Sequence, residues 1–117
     1  MQDNPLKEKS YKFALRIVNL YKHLSSEKRE FVLSKQILRS GTSIGANIAE
    51  GKQAQSKSDF VHKLGIALKE AVETEYWLNL LRDSEFLSSL QANSLLSDCQ
   101  ELQRMLTSSI KTAKLNK

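Results

Sequence analysis

The sequence predicts an all-α protein, folded as an antiparallel up-down four-helix bundle. Apolar residues recur at helical spacing in four long segments. The 117 residues include only one proline and four glycines, so long stretches run without a helix breaker. Short polar connections separate the segments, and such connections favour antiparallel neighbours. The length predicts a single domain over residues 1–117.

The first two predicted helices differ in how clearly their sequence marks them. Asn4 is a favourable N-cap residue before Pro5, which suits a first helical position, and the first helix is predicted from Pro5 to Leu24. The second is predicted from about Glu27 to Ala54. Its middle, Ser40–Ala46, is rich in weak helix formers, yet the apolar spacing from Ile37 to Ile48 continues through it. That spacing favours an uninterrupted helix.

The third and fourth helices are separated by a clear break. Ser56 with Asp59 three residues later is typical of a capping box, which would open a third helix from Lys57 to about Arg82. Residues 83–88 interrupt the apolar pattern, and a fourth helix follows to about Ala113. Middle helices of about 26 residues would be roughly 39 Å long, so we expect an elongated rod.

The residues that could carry chemistry are few, and the sequence predicts no enzyme, no cofactor and no metal site. The single cysteine, Cys99, lies on the apolar face of the fourth helix and is expected to be buried. Asp59 and His62 have the spacing of one half of a di-iron site, but such a site needs two pairs and further carboxylates. No apolar run is long enough to span a membrane, and residues 1–9 lack a signal-type apolar segment. We therefore expect a cytoplasmic protein with no membrane partner.

Two polar residues lie on or beside predicted apolar faces. Glu75 is at the centre of the third helix's apolar face, and Asn47 flanks that of the second helix. Buried polar groups require hydrogen-bond partners. We expect these two to form a satisfied buried polar pair that fixes helix register, rather than to supply a catalytic acid.

A second apolar row on the third helix predicts self-assembly. Ile66, Trp77 and Leu80 point away from the predicted core, and contiguous exposed apolar surface commonly marks an interface. The second helix offers a smooth outer surface for close approach. The predicted interface therefore comprises both sets: Thr42, Ala46, Ala49, Ile66, Trp77 and Leu80. The alternative is that the chain's own termini cover the row.

Basic residues are concentrated on the first helix of a chain whose net charge is +5. Lys9, Lys12 and Arg16 fall on one helical row, which could follow a phosphate backbone or could simply be a solvated face. Symmetric copies would repeat the row, and phosphate contacts gain from repetition. With Lys35 and Arg39 of the second helix, these are the predicted nucleic-acid-binding residues.

Several motifs together resemble those of a known family. They are Ser34–Gly51 (SKQILRSGTSIGANIAEG), Asp59–Phe60, Leu68–Ala71 and Glu73–Leu78. They resemble the bacterial "four helix bundle" family, proteins encoded in intervening sequences of 23S ribosomal RNA genes. The resemblance extends from Lys7 into the fourth helix.

The resemblance implies a ring of antiparallel four-helix bundles, since family relatives form pentamers. A related accessory protein of diversity-generating retroelements is a basic pentameric barrel that binds nucleic acid and a reverse transcriptase. Members are often labelled ribosomal proteins, although encoding inside an rRNA gene does not make a protein part of the ribosome. The family has no established catalytic activity.

Composition and resemblance together predict a non-enzymatic homo-oligomer that acts as an accessory protein and associates with nucleic acid. RNA is favoured over DNA as that nucleic acid. The alternative is a protein-interaction or assembly module with no nucleic-acid role. Its basic surface would then serve solubility or an acidic protein partner.

Overall fold

In a computed structural model that describes residues 4–116, the chain forms four α-helices, and the predicted all-α fold is confirmed. Residues 1–3 and 117 lie outside the described part. The helices are α1 (Pro5–Ser26), α2 (Leu33–Gly51), α3 (Lys57–Asp83) and α4 (Ser89–Leu115). Each packs against the next, and α1 also contacts α4. The bundle is elongated, with extents of 49 × 25 × 20 Å.

Three of the helices begin at side-chain caps. Asn4 Oδ1 accepts a hydrogen bond from the Lys7 N–H at 3.0 Å, and Ser56 Oγ accepts one from the Asp59 N–H at 3.0 Å. Ser88 opens α4 with a reciprocal capping box. Because each cap satisfies an otherwise unpaired N–H of a first turn, the chain marks these starts locally. The C-terminal ends of these three helices lie one or two residues beyond their predicted positions.

The predicted start of α2 at Glu27 is wrong, because residues 27–32 form a loop and the helix begins at Leu33. Arg29 takes a left-handed backbone conformation, with φ at 52°, which ends any helical path. The Glu30 carboxylate then accepts hydrogen bonds from the Leu33 N–H at 3.0 Å and the Ser34 N–H at 2.7 Å. The helix ends at Gly51, three residues before the predicted end, and has 19 residues.

The hydrophobic core is one cluster to which all four helices contribute. Ile17, Ile44, Leu78 and Leu106, one from each helix, are all 0 % exposed. The weak helix formers in the middle of α2 do not interrupt it, as predicted. Burial of the apolar face, at about 25 cal/mol per Å², outweighs the propensity cost of those residues.

Two glycines of α2 face α1, and close packing of the two helices depends on one of them, Gly41. A Cβ atom at Gly41 would lie 2.8 Å from both Cγ1 and Cγ2 of Ile17. A Cβ atom at Gly45 would lie 3.4 Å from the Ser10 carbonyl oxygen. The missing side chain of Gly41 therefore leaves room for Ile17, whereas the distance at Gly45 is close to an ordinary van der Waals contact.

The contact between α2 and α3 contains a buried polar pair. The hydroxyls of Ser40 and Thr74 are hydrogen-bonded 2.9 Å apart, and both residues are 0 % exposed. The core face of α3 therefore runs through Thr74 rather than through the neighbouring Glu75, which was expected there.

Replacement of Gly41 by alanine is expected to destabilise the bundle. The added methyl group must displace the buried Ile17 side chain, and overpacking of this kind costs about 1 to 3 kcal/mol. This cost exceeds the gain in helix propensity of about 1 kcal/mol. Urea unfolding followed by circular dichroism measures the difference.

Gly65→Ala is the matched control, because a Cβ atom there meets nothing within 4 Å. It should stabilise α3 by up to about 1 kcal/mol. If both variants gain stability, close α1–α2 packing does not depend on Gly41.

Loss of the Glu30 carboxylate is expected to loosen the start of α2. Glu30→Ala should lower the free energy of unfolding by about 1 kcal/mol at neutral pH, as the loss of an N-cap does. The control variant Glu27→Ala should lower it much less, because Glu27 is exposed. Burial acts to raise the pKa of Glu30, but hydrogen bonds from the backbone N–H groups of Leu33, Ser34 and Val32 outweigh it and lower the pKa below its ordinary value.

Because the folded-state pKa is the lower one, the stabilisation is present above the unfolded pKa and is lost as pH falls through the folded value. The stability gap between wild type and Glu30→Ala should therefore narrow between about pH 5 and pH 3. A gap independent of pH would show that the carboxylate charge does not cap the helix.

Candidate functional site

Two of the three bases in the predicted first-helix row are paired within the protein. Lys9 Nζ lies 3.3 Å from the Glu101 carboxylate, and Arg16 forms an ion pair with Asp98. Both acids belong to α4, which packs beside α1. Lys12 is exposed. Glu101 and Asp98 are one helical turn apart, and only the α1–α4 contact brings them to this row.

Of the two bases predicted on α2, Arg39 also has acidic partners. Its guanidinium contacts both carboxylate oxygens of Glu70, at 3.2 and 3.3 Å, and forms an ion pair with Glu73. Lys35 is exposed. Arg39 remains half-exposed, so a further contact is sterically open but its charge is largely compensated.

Glu73 joins this ion pair to the tryptophan of the predicted interface. Its Oε2 accepts a hydrogen bond from Trp77 Nε1 at 2.9 Å. The Arg39 hydrogen bond, followed by that of Trp77, lowers the pKa of Glu73. The carboxylate therefore stays charged and holds both side chains on one face of the bundle.

The predicted apolar row on α3 is only partly exposed, and the expectation that Trp77 points away from the core is wrong. Trp77 packs against the core, and Ile66 and Leu80 are half-buried. The α2–α3 contact decides this, since it buries the flank of α3 that carries the row. The alternative was that the chain's own termini cover this row. Asn4 and Asn116, the first and last described residues, instead line a cleft beside the start of α3, whereas Trp77 lies near the end of that helix.

The outer face of α3 instead exposes two residues that are not among the predicted interface residues. Val72 is 54 % exposed and Tyr76 is 60 % exposed, four residues apart on one helical face. The Tyr76 ring meets the Trp77 ring edge-on, with centroids 5.1 Å apart. We call Val72 and Tyr76 the α3 ridge. Its signal in the sequence is the i, i+4 spacing of two apolar residues.

The small residues predicted on α2 line a groove between α1 and α2, with a volume of about 610 Å³. Thr42, Ala46 and Ala49 form one wall, and Tyr11 and Ala14 of α1 form the other. Tyr11 is 66 % exposed. We call this the small-residue groove. The three predicted α2 residues thus lie together on one open apolar surface.

Asn47 and Glu75 are each hydrogen-bonded. They do not bond to each other, although the sequence predicted such a pair. Asn47 Nδ2 donates to the Ser43 carbonyl of its own helix at 2.9 Å. Glu75 accepts from Gln103 at 2.7 Å and from Gln100 at 3.2 Å, both on α4. Both are half-buried. The rotation of α3 turns Glu75 toward α4, away from α2.

Cys99 is buried, and its thiol donates to the Ala71 carbonyl at 3.2 Å. Burial raises the pKa of Cys99 to about 12, so the thiolate form is strongly disfavoured. Among residues 4–116, no three potential ligands of His, Cys, Asp or Glu type are grouped as a metal site. None of the helices in the described range has the length and apolar character needed to cross a bilayer.

A cleft at one end of the bundle brings together bases that the sequence does not group. Two overlapping cavities, of about 500 and 750 Å³, lie where α2 ends, α3 begins and α4 ends. Lys52, Lys57 and Arg104 line them, with Phe60 shared by both. We call this the basic cleft. Lys52 and Arg104 are far apart along the chain, so only the tertiary fold could reveal it.

Comparison with known proteins agrees with this architecture. Residues 2–108 match the family described as 23S rRNA-intervening sequence protein. A crystal structure from Bacteroides thetaiotaomicron, of a protein of unknown function from the S23 ribosomal protein family, superposes with a TM-score of 0.90. It is 60 % identical, and the match covers 91 % of this chain and 98 % of that one. No curated protein matches the chain. The family match over most of the chain, together with the shared four-helix fold, shows that this protein belongs to the 23S rRNA-intervening sequence protein family.

Proposed function

We propose that the protein is a non-enzymatic helical scaffold that assembles with copies of itself and associates with RNA as an accessory protein. The observation that carries the proposal is the small-residue groove, an open apolar surface on a small bundle. Exposed apolar surface of this kind commonly marks an interface.

The side chains of the groove suit a helix as its occupant. Thr42, Ala46 and Ala49 project little from α2, so a second helix can approach its backbone closely. Leu15 follows Tyr11 by one helical turn on α1 and is 49 % exposed. Tyrosine is enriched at interfaces because its ring supplies apolar contact area while its hydroxyl group can stay hydrated or hydrogen-bonded.

The α3 ridge of a second copy is the occupant that we propose. Tyr76 and Val72 protrude, whereas the α2 wall of the groove carries the small side chains of Thr42, Ala46 and Ala49, so the ridge can pack against that wall. The Trp77 ring contacts the Tyr76 ring edge-on and is itself held by a hydrogen bond to Glu73. A preorganised ridge loses little side-chain entropy on docking.

Groove and ridge are different surfaces of the chain, so their contact would be heterologous. Heterologous contacts form closed rings when the rotation between copies closes. The family resemblance implies five copies. A ring would also repeat every basic surface of the subunit and raise avidity for a polyanion.

Charge and family support the RNA part of the proposal. The net charge is +5, and Lys12 and Lys35 add exposed positive charge on α1 and α2. The family takes its description from intervening sequences of 23S rRNA, and the crystallised relative is assigned to a ribosomal protein family. A basic assembly attracts the phosphates of a nucleic acid without any base-specific contact.

A second candidate function is an assembly module with no nucleic-acid role. The ion pairs of Lys9, Arg16 and Arg39 favour it, because they compensate three of the five predicted phosphate-binding charges. The basic surface would then serve solubility or an acidic protein partner.

Self-assembly is testable by sedimentation equilibrium. The wild type should have a mass several times the 13.3 kDa of one chain. Ala46→Glu should weaken assembly at least tenfold, because it places a large charged side chain on the small-residue wall of the groove, and Tyr76→Ala should weaken it by removing the ridge. These two positions test the interface better than Trp77, whose loss would also disturb the core.

Leu90→Ala is the matched control, since Leu90 is 83 % exposed on α4, outside both surfaces. It should leave the mass unchanged. A monomeric wild type would refute self-assembly, and dissociation by Leu90→Ala to the same extent would refute the groove–ridge contact.

RNA association is testable by filter binding of mixed RNA to the wild type at low and moderate salt. Affinity should fall steeply with salt, because each phosphate contact releases about 0.7 counterions on single strands. Absence of binding at low salt would favour the assembly module without nucleic acid.

A further inference from the structure

The basic cleft has a lining whose charge is of one sign. Its bases are Lys52 at the end of α2, Lys57 at the start of α3 and Arg104 on α4. Among the described residues that line its two cavities, none is acidic. All three bases are exposed. Because each of them lines at least one of the two overlapping cavities, their charges act on the same open space.

Two carboxylates at this end of α2 and α3 interact with Lys63, which does not line the cleft. Glu50 accepts a hydrogen bond from Lys63 Nζ at 2.8 Å, and the charge of Asp59 acts on the same lysine. The cleft thus differs from the first-helix row, where Lys9 and Arg16 are paired with acids of α4. Within the part of the chain that the structure describes, no carboxylate in the cleft lining competes with an anion for these bases.

The remaining lining residues supply hydrogen bonds and one aromatic ring. The polar ones are hydroxyls and amides from three helices and their ends: Asn4, Ser56, Ser108, Ser109, Thr112 and Asn116. Hydroxyl and amide groups donate to phosphate oxygens and bond to sugars. Phe60 is half-buried and lines both cavities. Aromatic rings in basic grooves stack on the bases of single strands.

We propose that the basic cleft binds a single-stranded segment of RNA, with Lys52, Lys57 and Arg104 on its phosphates and Phe60 against a base. This inference rests on the proposed RNA association and names its site. A duplex keeps its bases stacked inside, so only an unpaired base can reach a ring within a cleft.

The test measures binding of a fluorescein-labelled oligouridylate of about twelve nucleotides to the full-length protein, by anisotropy at two salt concentrations. A Lys52→Gln, Lys57→Gln, Arg104→Gln triple variant should bind at least tenfold more weakly than the wild type at low salt. Its log–log salt slope should be smaller by about 2, since three contacts contribute about 0.7 each.

The matched control is a Lys22→Gln, Lys28→Gln, Arg29→Gln triple variant, whose three exposed bases lie at or just after the end of α1 that is away from the cleft. It also removes two lysines and one arginine, so both proteins lose the same net charge. It should bind within about threefold of the wild type. Circular dichroism and sedimentation establish that each variant keeps its helicity and mass.

Phe60→Leu separates a base contact from charge attraction, because leucine keeps an apolar side chain on the core. Affinity for the oligouridylate should fall at least about fivefold, the lower range for loss of one stacked base. Affinity for inorganic polyphosphate, which has no bases, should stay the same. Equal losses for both probes would overturn the base contact.

The outcomes distinguish this site from the function on which it rests. Binding by the wild type with equal losses in the two triple variants, or a larger loss in the control variant, would overturn the cleft and leave RNA association intact. No binding of the oligouridylate or mixed RNA by the wild type would overturn both.

Discussion

The close contact of α1 with α2 at Gly41 is the constraint on which the rest of the bundle depends. Because Gly41 has no Cβ atom, Ile17 occupies that space and the two backbones approach. The opposite flank of α2 then brings Ser40 to Thr74, which sets the rotation of α3. That rotation decides which residues of α3 face the core, α4 and solvent. Small residues on the outer side of α2 leave the groove open.

Ion pairs between helices change the functional meaning of the basic residues. In the sequence Lys9, Arg16 and Arg39 have no evident partners, yet acids of neighbouring helices compensate all three. Exposed surface pairs contribute little to stability, about 0 to 1 kcal/mol each. Their larger effect is to remove charge from the long sides of the bundle. In the cleft at one end, by contrast, Lys52, Lys57 and Arg104 meet with no acidic residue among the described residues that line it.

The proposed surfaces are compatible within one subunit. The groove and the α3 ridge lie along the sides of the bundle, whereas the basic cleft lies at an end. Lys52 borders both the groove and the cleft, so docking of a neighbour would bring RNA close to a subunit boundary. In a ring the cleft would recur once per subunit, and contacts too weak singly would gain from effective concentration.

The sequence by itself determined the four helices, the caps at Asn4 and Ser56, the continuity of α2 and most core positions. These follow from hydrogen bonds and periodicity within one segment, which are local. It did not predict the loop before α2, where Arg29 adopts a left-handed conformation that favours glycine. Only the tertiary structure decided that Thr74 rather than Glu75 enters the core, that Trp77 packs inward, and that Lys52, Lys57 and Arg104 meet. Those outcomes depend on how neighbouring helices rotate and approach, and such rotation is set by packing between segments distant along the chain.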